Sequence, residues 1–456
     1  MSTHVKRTLN VDVILVITLF LPIFAEQFAS VFLTFLSNLV SSNIDTGILN
    51  VTSLVSSVIT LPGALYTCIA SGTSIRMSHA TGAGDTRRAR SLFTTSMHLG
   101  LLIAIVIAIV ISLSNRVLIR SVYPAMSEHF FEMAGVYAVF ASLCFPIDFY
   151  QTNTIGIMRS CLNTKGAFFI SLGVSIVSLL FKAFFMICLD MGILGLCLSL
   201  VISKLFSLGI CSFIIKKIGI FKGCFFDFKN FISKDAALDI FKYGIVMCAE
   251  TLFGSIGGVI LSKILADLGD LQVTGFTIAT SMQSLFSVAP NSLAFAAQIS
   301  SGRYKGAGED EHSLRLSMRI TLVGTLLHMV ILFATLPFAE RLALLYTRDE
   351  EILKIVVDVY KVYVYTMPIV WSFGNTLSAG IRGYGNVRQP AITIVACLWL
   401  FKIPATYFAL SVLNTGAVGR TVVNSVEMAI YAASFLGYYF FELYRIKKRN
   451  RQINVQ

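Results

Sequence analysis

Gly82-Ala83-Gly84-Asp85 returns as Gly306-Ala307-Gly308-Glu309, 224 residues later. Gly192-Ile193-Leu194-Gly195 returns at the same shift as Gly416-Ala417-Val418-Gly419. Glu26, alone in an apolar run, maps onto Glu250, alone in another. Arg159, Asn163 and Lys165 match Arg382, Asn386 and Arg388 at a shift of 223, and Leu180-Phe181-Lys182 matches Leu400-Phe401-Lys402 at 220. Each match is weak alone, because Gly and Ala are common in apolar helices. Five in one order, at nearly one shift, describe a duplicated chain.

The chain is a membrane protein by composition. Of its 456 residues, 56% are hydrophobic and 13% charged, with a mean hydropathy of +0.78, outside the range of soluble domains. Apolar runs of about 20 residues, the length of a helix across a ~30 Å hydrocarbon core, occur at 13–36, 48–70, 92–113, 134–157, 167–189, 192–215, 243–266, 273–298, 316–336, 352–378, 390–412 and 417–440. A β-barrel would show shorter, alternating segments. The expected fold is an all-α integral membrane protein with twelve transmembrane helices in two six-helix lobes. Six helices separate each element from its copy, so the copies share one orientation and form a parallel repeat. The implied divisions are a lobe at 1–215, an interfacial linker at 216–242 with Phe221, Phe225, Phe226, Phe228 and Phe231 among lysines, a lobe at 243–440, and a basic tail at 441–456.

Net charge is +12, and about 25 of the 36 Lys and Arg fall at the N-terminus, in the even-numbered loops and in the tail. That bias places both termini in the cytoplasm of a multi-pass cell-membrane protein. It reads the tail as a partner of lipid headgroups rather than of nucleic acid. The nine cysteines are scattered, with no CxxC pair, so neither a disulfide framework nor a metal site is expected. The first apolar run is too long for a signal peptide and holds Glu26, half of a repeated pair.

No GxxxxGK[ST] loop is present, so no ATP is expected as a partner; no HExxH or Gly-x-Ser-x-Gly occurs either. The chain reads as a non-enzyme without a cofactor. Charges inside the spans then carry the functional signal, because an ionised residue at mid-bilayer costs ~2.5–3.5 kcal/mol and normally faces a cavity, a partner or a pathway. Glu250, Glu26 and Asp148 are the candidate cation-coupling residues, taking up a proton or holding Na+, against the alternative of packing. Asp148 maps onto Trp371, so the two halves differ at that depth. Lys182 and Lys402 occupy matching places, either snorkelling outward or pairing with acids. Lys204 and Glu427 lie one residue from equivalence, and Asp358 with Lys361 reads as a rim pair. His98 and His328 are read as packing residues. Prolines 22, 62, 146, 290, 368 and 404 fall inside spans and free backbone groups there. The loop motif at Gly82 and Gly84, beside Arg87, Arg88 and Arg90, permits a tight turn.

Together these residues resemble the multidrug and toxic compound extrusion (MATE) family of secondary transporters. The resemblance covers nearly the whole chain and rests on Pro22 with Glu26, the Ser71-Gly72 to Gly84-Asp85 loop, Arg159 with Asn163, Glu250, and the loop Arg382-Gly383-Tyr384-Gly385-Asn386. It implies two lobes forming a V around a central cavity. It also implies antiport of small organic compounds, often cationic and aromatic, against Na+ or H+; the expected form is a monomer in the bilayer. Glu250 matches a carboxylate that the family uses for cation coupling. Two other family positions depart from the pattern: Ser37 or Asn38 stands where many members have an acid late in the first helix, and Trp371 where others have one in the tenth. Asn38, Lys182, Trp371 and Lys402 are the candidate cavity residues. A lipid-linked substrate flippase of related fold and a transporter of the major facilitator class are the alternatives. The run Gly84-Asp85-Thr86-Arg87-Arg88 loosely resembles a loop motif of the latter.

Overall fold

The structure is a computed structural model. It describes the backbone of residues 2–44, 46–122, 128–217 and 233–453. The side chains of 2–11, 35, 37–54, 56–58, 60–61, 122, 129–130, 266, 270 and 453 stand outside that description. Asn38 and most of the 216–242 linker therefore lie outside the described residues.

The described chain is helical and makes twelve passes. The first six are α1 (Ser2–Ile44), α2 (Thr46–Gly82), α3 (Thr86–Val122), α4 (Glu128–Leu143 and Phe145–Ser160), α5 (Thr164–Cys188) and α6 (Gly192–Lys217). The second six are α7 (Lys234–Ala266), α8 (Asp270–Phe286 and Val288–Gly306), α9 (Asp310–Ala343), α10 (Glu350–Trp371 continuing to Tyr384), α11 (Arg388–Val412) and α12 (Gly416–Ile453). Among the described residues seven helices are long and apolar enough to cross a membrane by themselves, and the two parts of α4 make an eighth span. The other four, α2, α8, α10 and α12, fall short of that test: α2 and α8 are copies of each other, while α10 and α12 are the copies of α4 and α6.

The prolines account for most irregularities. Pro146 opens the second part of α4, which bends 46° from the first; a proline is tolerated in a first helical turn, where its missing N–H has no partner to lose. Pro290 follows the break in α8 at Ser287. Pro368 precedes a π-helical turn at Ser372–Thr376, and Pro404 sits between two more, Leu398–Lys402 and Phe408–Val412. Such turns absorb the hydrogen bond that proline removes. Pro22 and Pro62 lie within unbroken helices.

The duplication extends to backbone conformation. Gly84 and Gly308 both take positive φ, +70° and +82°. The turns around them match bond for bond: Asp85 N–H donates to the Ala80 carbonyl, and Glu309 N–H to that of Tyr304. Each is a left-handed helix stop that returns otherwise orphaned carbonyls to use. After α4 and α10 the left-handed position is Leu162 (φ 63°) in one copy and Gly385 (φ 109°) in the other. Asn163 and Asn386 then cap the next helix, accepting from Gly166 N–H and Gln389 N–H. Asp190 and Asn414 form a third such pair, at φ 50° and 51°.

Two compact units emerge, one of residues 25–248 and the other of residues 1–24 with 249–456. The boundary falls inside α1 and inside α7. The start of each of these helices therefore packs with one unit and its remainder with the other. In the 25–248 unit the core runs along α2, α3 and α4, with Phe93, Met97, Phe149, Tyr150 and Ile157 fully or nearly buried. In the other, Val356, Val359, Tyr360, Val364 and Met367 of α10 form the corresponding centre.

Candidate functional site

The two glutamates of the repeat each meet the arginine of the repeat. In the 25–248 unit, Arg159 Nη2 lies 2.6 Å from Glu26 Oε1, and Ser171 of α5 donates to the same oxygen at 2.6 Å. In the other unit, Arg382 Nη2 lies 2.7 Å from Glu250 Oε1. The first pair is the drier, with side chains 5% and 10% exposed against 16% and 17%. The second carboxylate oxygen, Oε2, is buried with no hydrogen-bond partner in both Glu26 and Glu250. Each site thus has one oxygen satisfied by a permanent cation and one bare.

The arginines reach these positions from the last turns of α4 and α10. Arg159, Arg382 and Gly383, which read from sequence as parts of loops, are helical. The loops begin only at the left-handed residues, Leu162 and Gly385. Gly383 has a packing role besides: a Cβ there would stand 2.1 Å from the Gln298 carbonyl oxygen. At the equivalent crossing the Ser160 hydroxyl donates to the Ser74 carbonyl at 2.9 Å. The crossings of α4 with α2 and of α10 with α8 thus hold the arginines in place at matching points. Gly82 ends α2 and Gly84 turns the chain into α3.

Asp148 forms an ion pair with Lys204 of α6. Trp371, its counterpart, is half-buried against the core of the second unit, with its indole N–H lacking a partner. Lys402 Nζ lies 2.6 Å from Glu427 Oε2 and donates to Asn424 Oδ1 at 2.8 Å, while Tyr431 donates to Glu427 Oε1. Lys182 lines a cavity of about 420 Å³ in the 25–248 unit, together with Lys204. His328 is fully buried, and both of its ring nitrogens lack a hydrogen-bond partner. Asp358 and Lys361 are 3.6 Å apart on exposed ground, as their spacing implied.

Sequence reading missed two clamps at the starts of α1 and α7. Asp12, 5% exposed, accepts from Tyr304 at 2.8 Å, lies 2.9 Å from His312 Nε2 and 3.5 Å from Arg319. Asp239 pairs with Arg76 at 2.7 Å and with Arg88. Arg88 and His312 are related by the 224 shift, so the clamps repeat even though their two aspartates, offset by three residues, do not. That offset hid them. Among the described residues no group of three or more His, Cys, Asp or Glu side chains is placed to hold a metal.

Two copies of one helical repeat, each with a buried acid held by an arginine, define a duplicated polytopic membrane protein. Comparison with known proteins makes this specific. The MatE family model matches twice, at residues 22–185 and 245–408. The chain belongs to the MATE family, transporters rather than enzymes, which work as ion-coupled antiporters in twelve-helix, two-lobed folds. It is 21% identical over 365 residues to a probable multidrug resistance protein NorM of Thermotoga maritima, covering 77% of this chain and 75% of that one. A multidrug resistance protein MdtK of Yersinia pseudotuberculosis is 26% identical over 152 residues, 32% of each chain. Among solved structures, a MATE crystallised in its bent conformation superposes with a TM-score of 0.86 at 18% identity, covering 95% of this chain and 96% of that one. A MOP superfamily transporter from Pyrococcus furiosus, described as having a binding pocket of reverse polarity that suggests a different function, gives the same TM-score, identity and coverage.

Proposed function

We propose that this chain is a secondary active exporter of small organic compounds, driven by the inward movement of Na+ or H+, with both termini in the cytoplasm. Glu250, Glu26 and Asp148 are the coupling carboxylates in this reading. The supporting observation is the bare, buried Oε2 of Glu250 beside an arginine that holds Oε1. Arginine does not give up its proton in a protein. An ion arriving at Oε2 therefore meets a pair that is already neutral and leaves it with a net positive charge in a poorly hydrated place. The conformation that best hydrates or disperses that charge is then favoured, which is the differential binding that antiport requires. Asp148 works by the same competition, with Lys204 as its resident cation. Glu26, the driest of the three, is the slowest to exchange.

The test is transport in vesicles under an imposed Na+ or proton gradient, with wild type and Glu250→Gln compared for efflux of a fluorescent organic substrate. The amide should abolish the response to the gradient while facilitated equilibration of substrate remains. Undiminished gradient-driven efflux in that variant would remove Glu250 from coupling. Labelling of single cysteines introduced near each end, from outside intact cells, tests the orientation; reaction of either end would refute it.

A further inference from the structure

Glu427 of α12 is a buried acid outside the three coupling carboxylates. It is 2% exposed, with Lys402 Nζ of α11 2.6 Å from its Oε2 and the Tyr431 hydroxyl donating to its Oε1 at 2.6 Å. Lys402 also donates to Asn424 Oδ1 at 2.8 Å. Cys397 of α11 is the other titratable group beside Glu427, and the Tyr431 phenol lies within electrostatic reach of both Glu427 and Glu250 of α7. Glu250 is held in turn by Arg382 of α10. Carboxylate and ammonium cancel, so the resting Lys402–Glu427 pair is neutral.

The duplicated fold does not need this group. In the register set by Gly192–Gly195 and Gly416–Gly419, Asn424, Glu427 and Tyr431 correspond to Leu200, Ser203 and Ser207. There Ser203 donates to the Leu200 carbonyl of its own helix and Ser207 to Gln151 Oε1, and α6 packs with no acid of its own. A buried ion pair stabilises a fold little compared with apolar groups of like volume, and an ionised residue in a membrane-spanning helix marks a site or a pathway. Both supports of the acid involve π-helical turns. Lys402 closes the turn Leu398–Lys402, and Tyr431 packs on Gly374 of the turn Ser372–Thr376, where an added Cβ would lie 3.6 Å from that of Tyr431. Single π turns inside α-helices are frequent at functional sites. Lysine suits exchange where arginine does not, being a compact charge on a flexible stem. Lys402 is 17% exposed and has Asn424 as a second partner. A cation that takes its place at Oε2 gives the group one net positive charge while Tyr431 still holds Oε1.

We infer that Glu427 is a fourth coupling carboxylate, a site for H+ or Na+ in the unit of residues 1–24 and 249–456, with Lys402 as its resident cation and Tyr431 as the residue that positions it. This extends the antiport reading and rests on it for transport, though cation binding at Glu427 does not.

Trp399 stands in the same π turn as Lys402, and Trp371 is the only other tryptophan of the chain. Trp371→Phe therefore makes Trp399 a local fluorophore in the full chain, reconstituted in phosphatidylcholine nanodiscs. Its emission is titrated with NaCl against choline chloride at constant ionic strength, and separately with acid. One of the two cations should give a saturable change. Lys402→Met, which removes the competing charge, should move the midpoint to an about tenfold lower concentration of the same cation. Glu427→Gln/Lys402→Met, which leaves neither charge buried, should abolish the change while thermal stability is kept. Tyr431→Phe keeps the ring but loses the bond to Oε1, and should displace the midpoint about threefold or more; an unmoved midpoint would return Tyr431 to packing. The change should persist in Glu250→Gln, and its loss there would assign it to Glu250 instead. No saturable change with either cation, a midpoint unmoved by Lys402→Met, or a change that survives in the double variant would overturn the inference. In vesicles the double variant should lose gradient-driven efflux at least about tenfold. Failure here and failure of the antiport reading are separable. Trp399 titrating as stated in a protein whose efflux ignores every gradient would sink the antiport and keep the site, whereas undiminished gradient-driven efflux in the double variant would do the reverse.

Discussion

Removing one partner of the Glu26–Arg159 pair should cost far more than removing both. Unit charges about 4 Å apart attract by roughly 4 kcal/mol at an effective dielectric of about 20. Glu26 and Arg159 approach to 2.6 Å between atoms and are 5% and 10% exposed, so solvent screens little of that. Glu26→Leu leaves a guanidinium in a dry place, with an expected loss of about 3–5 kcal/mol. Arg159→Met leaves the carboxylate, which still has the Ser171 hydroxyl, and should cost somewhat less. The double variant buries two apolar groups where two charges stood, and should return to within about 1–2 kcal/mol of wild type. Reversible unfolding in mixed micelles with increasing SDS measures all four corners of this cycle. The coupling energy should reach at least about 2 kcal/mol, at the upper end of what touching residues show. The same cycle at Glu250–Arg382, about three times as exposed on the acid side, should give a smaller value. If the double variant is as unstable as the sum of the singles, the pair is not a unit and the reasoning fails.

Leu162 sits at φ 63° where its counterpart is Gly385. A left-handed leucine costs about 1–2 kcal/mol, partly offset by the entropy of a glycine, so Leu162→Gly should leave stability unchanged or raise it by up to about 1 kcal/mol; a clear loss on thermal unfolding would contradict the assigned conformation. Gly383→Ala drives a methyl into the Gln298 carbonyl and should cost about 3 kcal/mol or more by the same measurement, beyond ordinary overpacking. Gly437→Ala meets nothing within 4 Å and should be neutral or stabilising by up to about 1 kcal/mol; equal outcomes for these two alanines would refute the packing account. At the α1 clamp, Asp12→Asn should cost about 1.5–3 kcal/mol, as expected for hydrogen bonds to a charged group. Arg319→Ala, at 3.5 Å and half exposed, should cost no more than about 1 kcal/mol, and a reversed order would show that Arg319, not Tyr304 with His312, holds Asp12.

The amino-acid sequence by itself determined the architecture. Twelve apolar stretches, the 224-residue shift and the glycines at 84 and 308 are local or periodic properties, and the hydrophobic effect acts on them almost independently of what they touch. The family followed, because several of its marks lie at helix ends, where sequence speaks directly about backbone. The functional acids were visible too, since a lone glutamate in an apolar run stands out against its cost. Their partners were not. Glu26 and Arg159 are 133 residues apart, and nothing short of packing α1 against α4 says that two charges share one place. Tertiary structure likewise decided that α1 and α7 each divide between two units, and that Asp12 and Asp239 clamp their starts from positions the repeat does not align. It also decided that Lys402 meets Glu427, while its counterpart Lys182 lines a cavity. Charge is a property of a residue, but whether it is neutralised belongs to its neighbourhood, and a neighbourhood exists only once the chain has folded.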